Sequence, residues 1–353
     1  MVVMHVIVGL SIGGAEMMLK RLIEHQHKSS SCLHFVVSLT DIGKVGLLLQ
    51  GKGVDVEALG MRGFFDIPRV LWRLARIMRS KRPDIIQTWM YHADFLGGLA
   101  AWIVGNPRVI WGVRCTEIPQ RRVSTTGLIV FISSLLSWFV PRKIVCCAEA
   151  AQIAHSRKGY DNTKMVVIPN GYDLDCYNSS PEFRQKSREA FGFTNEDIIV
   201  GIVGRFDPLK DHKNFIRAAT LAATNVSKLK FLMVGRGIDS KTVTLDLWLK
   251  ESGISHKFIL AGERNDIPSC LAAMDVFCLS SSDEGFPNVV CEAMAMKVPC
   301  TVTDAGAASE IVGSTGIVVA PKDSCALAEA LETMINLGAS ERSRLGELAR
   351  ERV

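Results

Sequence analysis

Two carboxylates stand eight residues apart in the run Ser281-Ser-Asp-Glu284-Gly-Phe-Pro-Asn288-Val-Val-Cys-Glu292-Ala-Met. An apolar run, Val276–Leu279, precedes them, and Val289 to Lys297 carries a helical pattern, so the motif reads as strand, loop and helix start. A carboxylate is the usual acceptor for paired vicinal hydroxyls. One acid in the loop and one in the first helical turns can reach the same ligand, one near a sugar and one near ribose hydroxyls. Asn288 reads as the helix N-cap, which leaves the following amides for an anion. The plainer alternative makes Glu284 an exposed loop acid and Glu292 a dipole-stabilising one. The enclosed Gly285-Phe286-Pro287-Asn288 is too unusual for a generic cap.

A second cluster, Gly204-Arg205-Phe-Asp-Pro-Leu-Lys210-Asp-His-Lys213, follows the apolar run Ile198–Val203. Arg205 and Lys210 on one loop can both point at a pyrophosphate, the Arg as a fork and the Lys as a point charge; a solvated basic loop is the alternative. A third, Gly9-Leu-Ser-Ile-Gly13-Gly14-Ala-Glu16, follows the first strand and opens a helix, where glycines admit a phosphate to backbone amides. Its spacing is not the dinucleotide fingerprint, and alone it equally fits a tight turn kept for packing. Fourth, His92 lies just past the run Ile85–Thr88, in Gln87-Thr-Trp-Met-Tyr-His92-Ala-Asp94. A lone histidine is more often structural than catalytic, but a strand end in the half expected to face the Glu284 site favours function. Asp173-Leu-Asp175 has the form of a metal-holding DxD, yet it follows Ile168-Pro-Asn-Gly171 and reads as a turn.

These candidates sit at the ends of short apolar runs that alternate with helical stretches. The runs are His5–Val8, Phe35–Leu39, Ile85–Thr88, Val109–Val113, Lys143–Cys146 and Val166–Ile168, then Ile198–Val203, Lys230–Val234, Lys257–Leu260, Val276–Leu279 and Cys300–Thr303. Continuously apolar strands separated by helices imply parallel sheets covered on both faces. Six runs and then five, parted by the polar stretch 173–195, predict an α/β chain of two Rossmann-like domains, 1–185 and 186–353, facing a central cleft. Open parallel sheets bind ligands beyond the C-terminal ends of their strands, where most of the candidates fall.

The chain has 353 residues, 48% hydrophobic and 22% charged, which excludes a disordered composition. Ten cysteines without a CxxC pair read as packed thiols, neither a disulfide framework nor a zinc site. No basic leader opens the sequence and no apolar stretch is long enough to span a bilayer. The expected location is therefore cytoplasmic, with the inner face of the membrane as a possible station. Segment 127–140, flanked by Arg121, Arg122, Arg142 and Lys143, reads as a buried helix, with an interfacial helix as the alternative. Residues 1–180 hold 21 basic against 13 acidic residues, and 181–353 hold 20 against 23. A basic first half suits an anionic surface or a phosphate-bearing partner. Helix 68–82 adds a stripe of Arg69, Arg73, Arg76 and Arg79, which fits either an anionic membrane or a solvated face.

Together these motifs resemble glycosyltransferase family four, retaining enzymes of the two-Rossmann GT-B fold. The resemblance covers essentially the whole chain and rests on Glu284 and Glu292 with the residues between them, Gly204-Arg205 with Lys210, and Gly13-Gly14. Ile168-Pro-Asn-Gly171 and Ala261-Gly-Glu-Arg264-Asn265-Asp266-Ile267-Pro268 also fit. It implies that Gly13 and Gly14 lie against the donor diphosphate and that Arg205 and Lys210 neutralise it as it leaves. Amides around Asn288 and Val289 assist, Glu284 holds the donor sugar with Gly285, Phe286 and Pro287 among the donor-binding residues, and Glu292 holds the ribose. Arg264, Asn265 and Ile267 hold the base, and His92 lies beside the donor sugar. The reaction implied is transfer of a hexose from a nucleotide-diphosphate sugar, UDP-linked by preference, to a saccharide or lipid-linked acceptor of a surface polysaccharide or glycolipid, with retention and without metal or other cofactor. No nucleic-acid partner is expected. Members of the family usually end in a helix crossing back to the first domain, whereas here a charged stretch, 341–353, is expected to end the second domain without one. The rival readings are an NAD-dependent epimerase or oxidoreductase, whose GxGxxG with a following acid is lacking, and a nucleotide-sugar-binding scaffold without turnover.

Overall fold

In the computed structural model, which describes residues 1–29, 32–106, 108–116, 125–177, 179–224, 226 and 228–353, β-branched runs form two sheets in which every pairing is parallel. The first takes β1 (Val2–Ile7), β2 (Leu33–Ser38), β3 (Asp55–Ala58), β4 (Ile85–Trp89), β5 (Val109–Val113), β6 (Lys143–Cys146) and β7 (Met165–Val167) in the order β3-β2-β1-β4-β5-β6-β7. The second takes β8 (Ile198–Val203), β9 (Leu229–Val234), β10 (Phe258–Leu260), β11 (Val276–Leu279), β12 (Cys300–Thr303) and β13 (Gly316–Val319) in the order β10-β9-β8-β11-β12-β13. Central strands are buried almost throughout, as in β1, β11 and β12, because each carries helices on both faces.

Two strands escape the apolar-run reading, so the sheets have seven and six strands where six and five are expected. Both are edge strands. β3 is Asp-Val-Glu-Ala with one buried residue, and β13 has none. A strand paired on one side only needs no continuous apolar run.

The chain divides into two compact units between Asn170 and Gly171, not near residue 185. The polar stretch is the first layer of the second unit. Tyr172, Leu174, Phe183 and Phe191 pack on its core, and Arg184 and Arg188 grip Asp275, just before β11, at 2.7 and 3.1 Å. The closing helix, Gly338–Arg352, belongs to the same unit, with Arg350 donating to the carbonyls of Leu174 and Tyr177 at 3.0 and 2.9 Å.

In each sheet the strand order reverses once, at β1/β4 and at β8/β11. Helices approach such a switch point from opposite faces, and a crevice opens between them at the C-terminal strand ends.

The serine-rich segment 127–140 is not a buried helix. The helix Thr125–Leu136 buries Gly127, Val130, Ser133 and Ser134 and exposes Leu128, Phe131 and Leu135. Its flanking Arg121 and Arg122 lie outside the described residues. Among the described residues no helix is long and apolar enough to cross a membrane.

Candidate active site

The two loops richest in candidate chemistry leave β8 and β11, the strands that flank the switch point of the second unit and pair Val200 with Val276 and Gly201 with Phe277. Just past β8 the chain turns through Gly204 and Arg205 into a short turn, Pro208–Lys210, capped by Asp207, whose side chain accepts from the Leu209 amide at 3.0 Å. That turn presents Lys210 to the loop beyond β11. There Lys210 Nζ donates to Glu284 Oε1 at 2.5 Å, and Ser281 Oγ donates to the same oxygen at 2.6 Å. The two loops are sewn together along their backbones. The Ser280 hydroxyl donates to Lys210 O at 2.8 Å, and the Ser282 amide donates to Leu209 O at 2.8 Å. The Thr303 hydroxyl, at the end of β12, donates to Ser281 O at 2.6 Å.

The Lys210 stem lies over Gly204 in ordinary contact, with Cδ 3.4 Å from where a Cβ would stand. At two other glycines a side chain would not fit. Gly306, at φ +60, backs onto the Glu284 carbonyl, 2.1 Å from where a Cβ would sit. The Gly235 amide donates to Gly262 O at 2.7 Å, and a Cβ at Gly235 would meet Gly204 O at 1.9 Å. The loops after β8, β9 and β10 are thereby stacked in sequence, which links the Gly204 loop to the Arg264 loop.

The helix Asn288–Ala295 opens at the end of the Glu284 loop, aiming its positive dipole end into the switch point. Asn288 is not its N-cap. Pro287 holds that position without a side-chain bond, and Asn288 is the first helical residue. The Asn288 side chain instead accepts from the Tyr172 hydroxyl at 2.6 Å. Val289 packs against the core, and Glu292, one turn into the helix, is half-buried. Arg205 is 57% exposed, with Nε on Asp207 at 2.9 Å. Arg264 makes a two-pronged contact with Asp266 at 2.8 and 2.5 Å and lies over the Phe191 ring, and Asn265 beside it is exposed. Ile267 starts the next helix with its side chain against the core.

The remaining candidates belong to the first unit and flank its own switch point. Gly13 follows β1 and Gly14 begins the helix Gly14–Ser29. The Glu16 carboxyl folds back over Gly13, 2.4 Å from where a Cβ would stand, and burial raises its pKa above the ordinary range. His92 is the second residue of the helix Tyr91–Ile103, directly after β4. Burial lowers its pKa, which favours the neutral imidazole. Behind it Asp94 is fully buried, accepting from Thr88 Oγ1 at 2.5 Å and the Gly112 amide at 3.2 Å, and burial pushes its pKa up to about 7. Asp173 caps a turn by accepting from the Asp175 amide at 3.2 Å, as the turn reading of that pair expects. Tyr172, Ser281 and Gly306 carry no chemical signal in the sequence that marks them for the site. Ser281 lies inside the motif, but its role depends on the loop's fold, and the other two act across long sequence separations.

Two family models account for nearly all of this architecture. Glycosyltransferase Family 4 matches residues 12–176, and Glycosyl transferases group 1 matches residues 183–352. The chain belongs to these glycosyltransferases. The group 1 segment contains both loops of the second switch point, and the Family 4 segment contains Gly13, Gly14 and His92. This glycosyltransferase is 24% identical to the putative glycosyltransferase EpsF of Bacillus subtilis over 86% of its own length and 79% of that protein. It is 26% identical to the UDP-Gal:alpha-D-GlcNAc-diphosphoundecaprenol alpha-1,3-galactosyltransferase of Escherichia coli, over 65% of its own length and 60% of that enzyme. In fold it matches the crystal structure of Anabaena HepE in complex with UDP, with a TM-score of 0.85 at 23% identity, covering 100% of this chain and 95% of that one.

Proposed function

We propose that this glycosyltransferase moves a hexose from a UDP-linked donor to a saccharide or lipid-linked acceptor, with retention at the anomeric carbon, no divalent cation and no other cofactor, in the assembly of a surface polysaccharide or glycolipid. The observation that carries the reading is the Lys210–Glu284 pair, 2.5 Å apart at the switch point and only 21% and 12% exposed. A cation and an acceptor are held side by side where a sugar diphosphate has both a charge to neutralise and hydroxyls to fix. In this reading the donor diphosphate takes the Lys210 ammonium, and Glu284, released from it, accepts from the donor sugar. Arg205 is exposed enough to turn from Asp207 to the same diphosphate, and the Asn288–Ala295 dipole adds positive potential. Glu292 accepts from the ribose, and the Gly262–Ile267 backbone receives the base.

The bond from C1 to the diphosphate oxygen breaks as the acceptor oxygen bonds to C1 on the same face. The acceptor proton passes to the departing phosphate oxygen, whose growing negative charge meets Lys210 and Arg205. Fixed cations aimed at that charge do the work a metal would otherwise do. Support for UDP comes from the HepE complex with UDP and the UDP-Gal donor in the E. coli enzyme's name. That enzyme's diphosphoundecaprenol-linked acceptor, and the S. aureus protein CapM of capsular polysaccharide biosynthesis, 25% identical over 82% of this chain, support the acceptor class.

The test is transfer from a panel of UDP-hexoses to a polyprenyl-diphosphate saccharide in the presence of chelator, with proton NMR of the new anomeric centre. Transfer with retained configuration supports the reading. An inverted product, or dependence on added divalent cation, removes the mechanism.

A further inference from the structure

The helix Thr125–Leu136 has its amphipathicity reversed. Gly127, Val130, Ser133 and Ser134 face inward, while Leu128, Phe131 and Leu135 are 48, 40 and 56% exposed. The steps of three and four residues between these three continue to Trp138, 55% exposed, so one apolar stripe runs the length of the helix. Folding normally buries the apolar stripe of a surface helix. Here the small and hydroxyl-bearing face is the one buried, and the large side chains of Leu128, Leu135 and Trp138 are turned to the surface, available to a contact outside the chain.

The stripe ends in an aromatic cluster. Phe139 is 81% exposed, and Trp102 and Ile103, at the end of the packed neighbour helix Tyr91–Ile103, are 67% and 51% exposed. The Trp138 indole N–H donates to Gly159 O at 3.1 Å, which pins that ring at the surface. Between this cluster and the starts of β5 and β6 lies a depression of about 580 Å³, lined by Trp102, Asn106, Phe139, Arg142 and Lys164 among others. Arg108, Arg142 and Lys143, all exposed, stand at the adjoining ends of β5 and β6, and none makes an ion pair among the described residues. From 118 to 148 the sequence holds no Asp or Glu. The arginine-rich helix Ile67–Lys81 is a weaker candidate, because it uses its cations internally. Arg73 pairs with Glu57 at 2.9 Å, Arg69 pairs with Asp66 at 3.0 Å, and Arg76 lies over Trp72.

We propose that this face of the first unit docks on an anionic phospholipid surface. Leu128, Leu135 and the aromatic cluster enter the headgroup–acyl boundary, and Arg108, Arg142 and Lys143 meet lipid phosphates. Charge complementarity selects this occupant over a second copy of the chain, since a two-fold contact through the face would set its cationic rims against each other. The inference deepens the lipid-linked acceptor of the proposed function, and it is read by binding without turnover, so its failure is separable from failure of that function.

The experiment is co-sedimentation of the full chain with vesicles of phosphatidylglycerol and phosphatidylcholine, and with vesicles of phosphatidylcholine alone. The wild type should partition to the anionic vesicles and release with salt. Leu135→Ser combined with Phe139→Ser, and separately Arg142→Glu combined with Lys143→Glu, should each lower the partition coefficient by about tenfold or more. Both pairs are surface changes, and circular dichroism of each variant confirms that it is folded. Equal wild-type binding to both vesicle types, or unchanged binding by both variants, overturns the proposal. So does a wild-type dimer by light scattering that the double serine variant makes monomeric, since a second copy would then cover the face.

Discussion

Lys210→Met separates what the Lys210–Glu284 pair does for the fold from what it does for the reaction. Methionine keeps the stem that packs over Gly204, where Cδ and Cε stand 3.4 and 3.5 Å from a would-be Cβ, and removes only the ammonium. Glu284 then retains the Ser281 hydroxyl at 2.6 Å and loses its cation. Breaking a fully buried pair costs about 3–5 kcal/mol and an exposed one about 0–1. With the partners 21% and 12% exposed, the expected loss of stability is about 1–2 kcal/mol, by the same two limits. The transfer step loses more. One charge-assisted hydrogen bond to the leaving diphosphate is worth about 1.5–3 kcal/mol, which is about 10- to 150-fold in kcat/KM. Urea unfolding gives the first quantity, and initial rates of UDP release with saturating acceptor give the second. A folded Lys210→Met enzyme with kcat/KM within about twofold of wild type would refute the assignment of Lys210 to the diphosphate.

Tyr172→Phe removes the 2.6 Å hydrogen bond that fixes Asn288 at the helix start. About 1 kcal/mol, or roughly fivefold in donor KM, should be lost with little change in unfolding midpoint, and an unchanged KM would free Asn288 from any role. Gly306→Ala forces a non-glycine residue to φ +60 with its Cβ 2.1 Å from Glu284 O. It should cost at least about 1 kcal/mol of stability and depress activity through Glu284, which donor titration with unfolding measurements would check. Asp94→Asn should gain stability relative to wild type as pH rises. The folded carboxyl has its pKa pushed up to about 7 by burial. The wild type therefore loses stability as pH climbs from about 4 towards that value, while Asn keeps an oxygen for Thr88 and Gly112 and never ionises. Denaturant midpoints at the two ends of that range should diverge by about 1–3 kcal/mol, and a constant gap contradicts the burial argument. Glu292→Ala should cost at least about tenfold in activity with folding intact, and wild-type rates would remove it from the ribose.

The loops that carry the site are legible in the sequence because glycine and charge stand out at the ends of apolar runs. That contrast alone marks Gly204 to Lys210 and Ser281 to Glu292 before any geometry is known. Edge strands β3 and β13 lack the contrast, having one pairing side and a half-wet face. The unit boundary is displaced because Arg184 and Arg188, polar in sequence, are used as ligands for Asp275 inside the second unit. Asn288 has the right chemistry for a cap, but Pro287 takes that position and Tyr172, 116 residues away, draws off the side chain. Contacts of that span leave no local trace. The stripe on Thr125–Leu136 is hidden for a different reason, since apolar residues at helical spacing look the same in sequence whether they face inward or outward.

The central claim is that a nucleotide diphosphate lodges at the β8/β11 switch point, held by side-chain cations and amides alone. A crystal structure of the chain soaked with UDP in chelator tests it most directly. The diphosphate should lie within hydrogen-bond distance of Lys210 Nζ and the Arg205 guanidinium, with Glu284 turned away from Lys210 and Glu292 on the ribose. UDP found only when a divalent cation is supplied, or bound away from both loops with the Lys210–Glu284 pair intact, would contradict it.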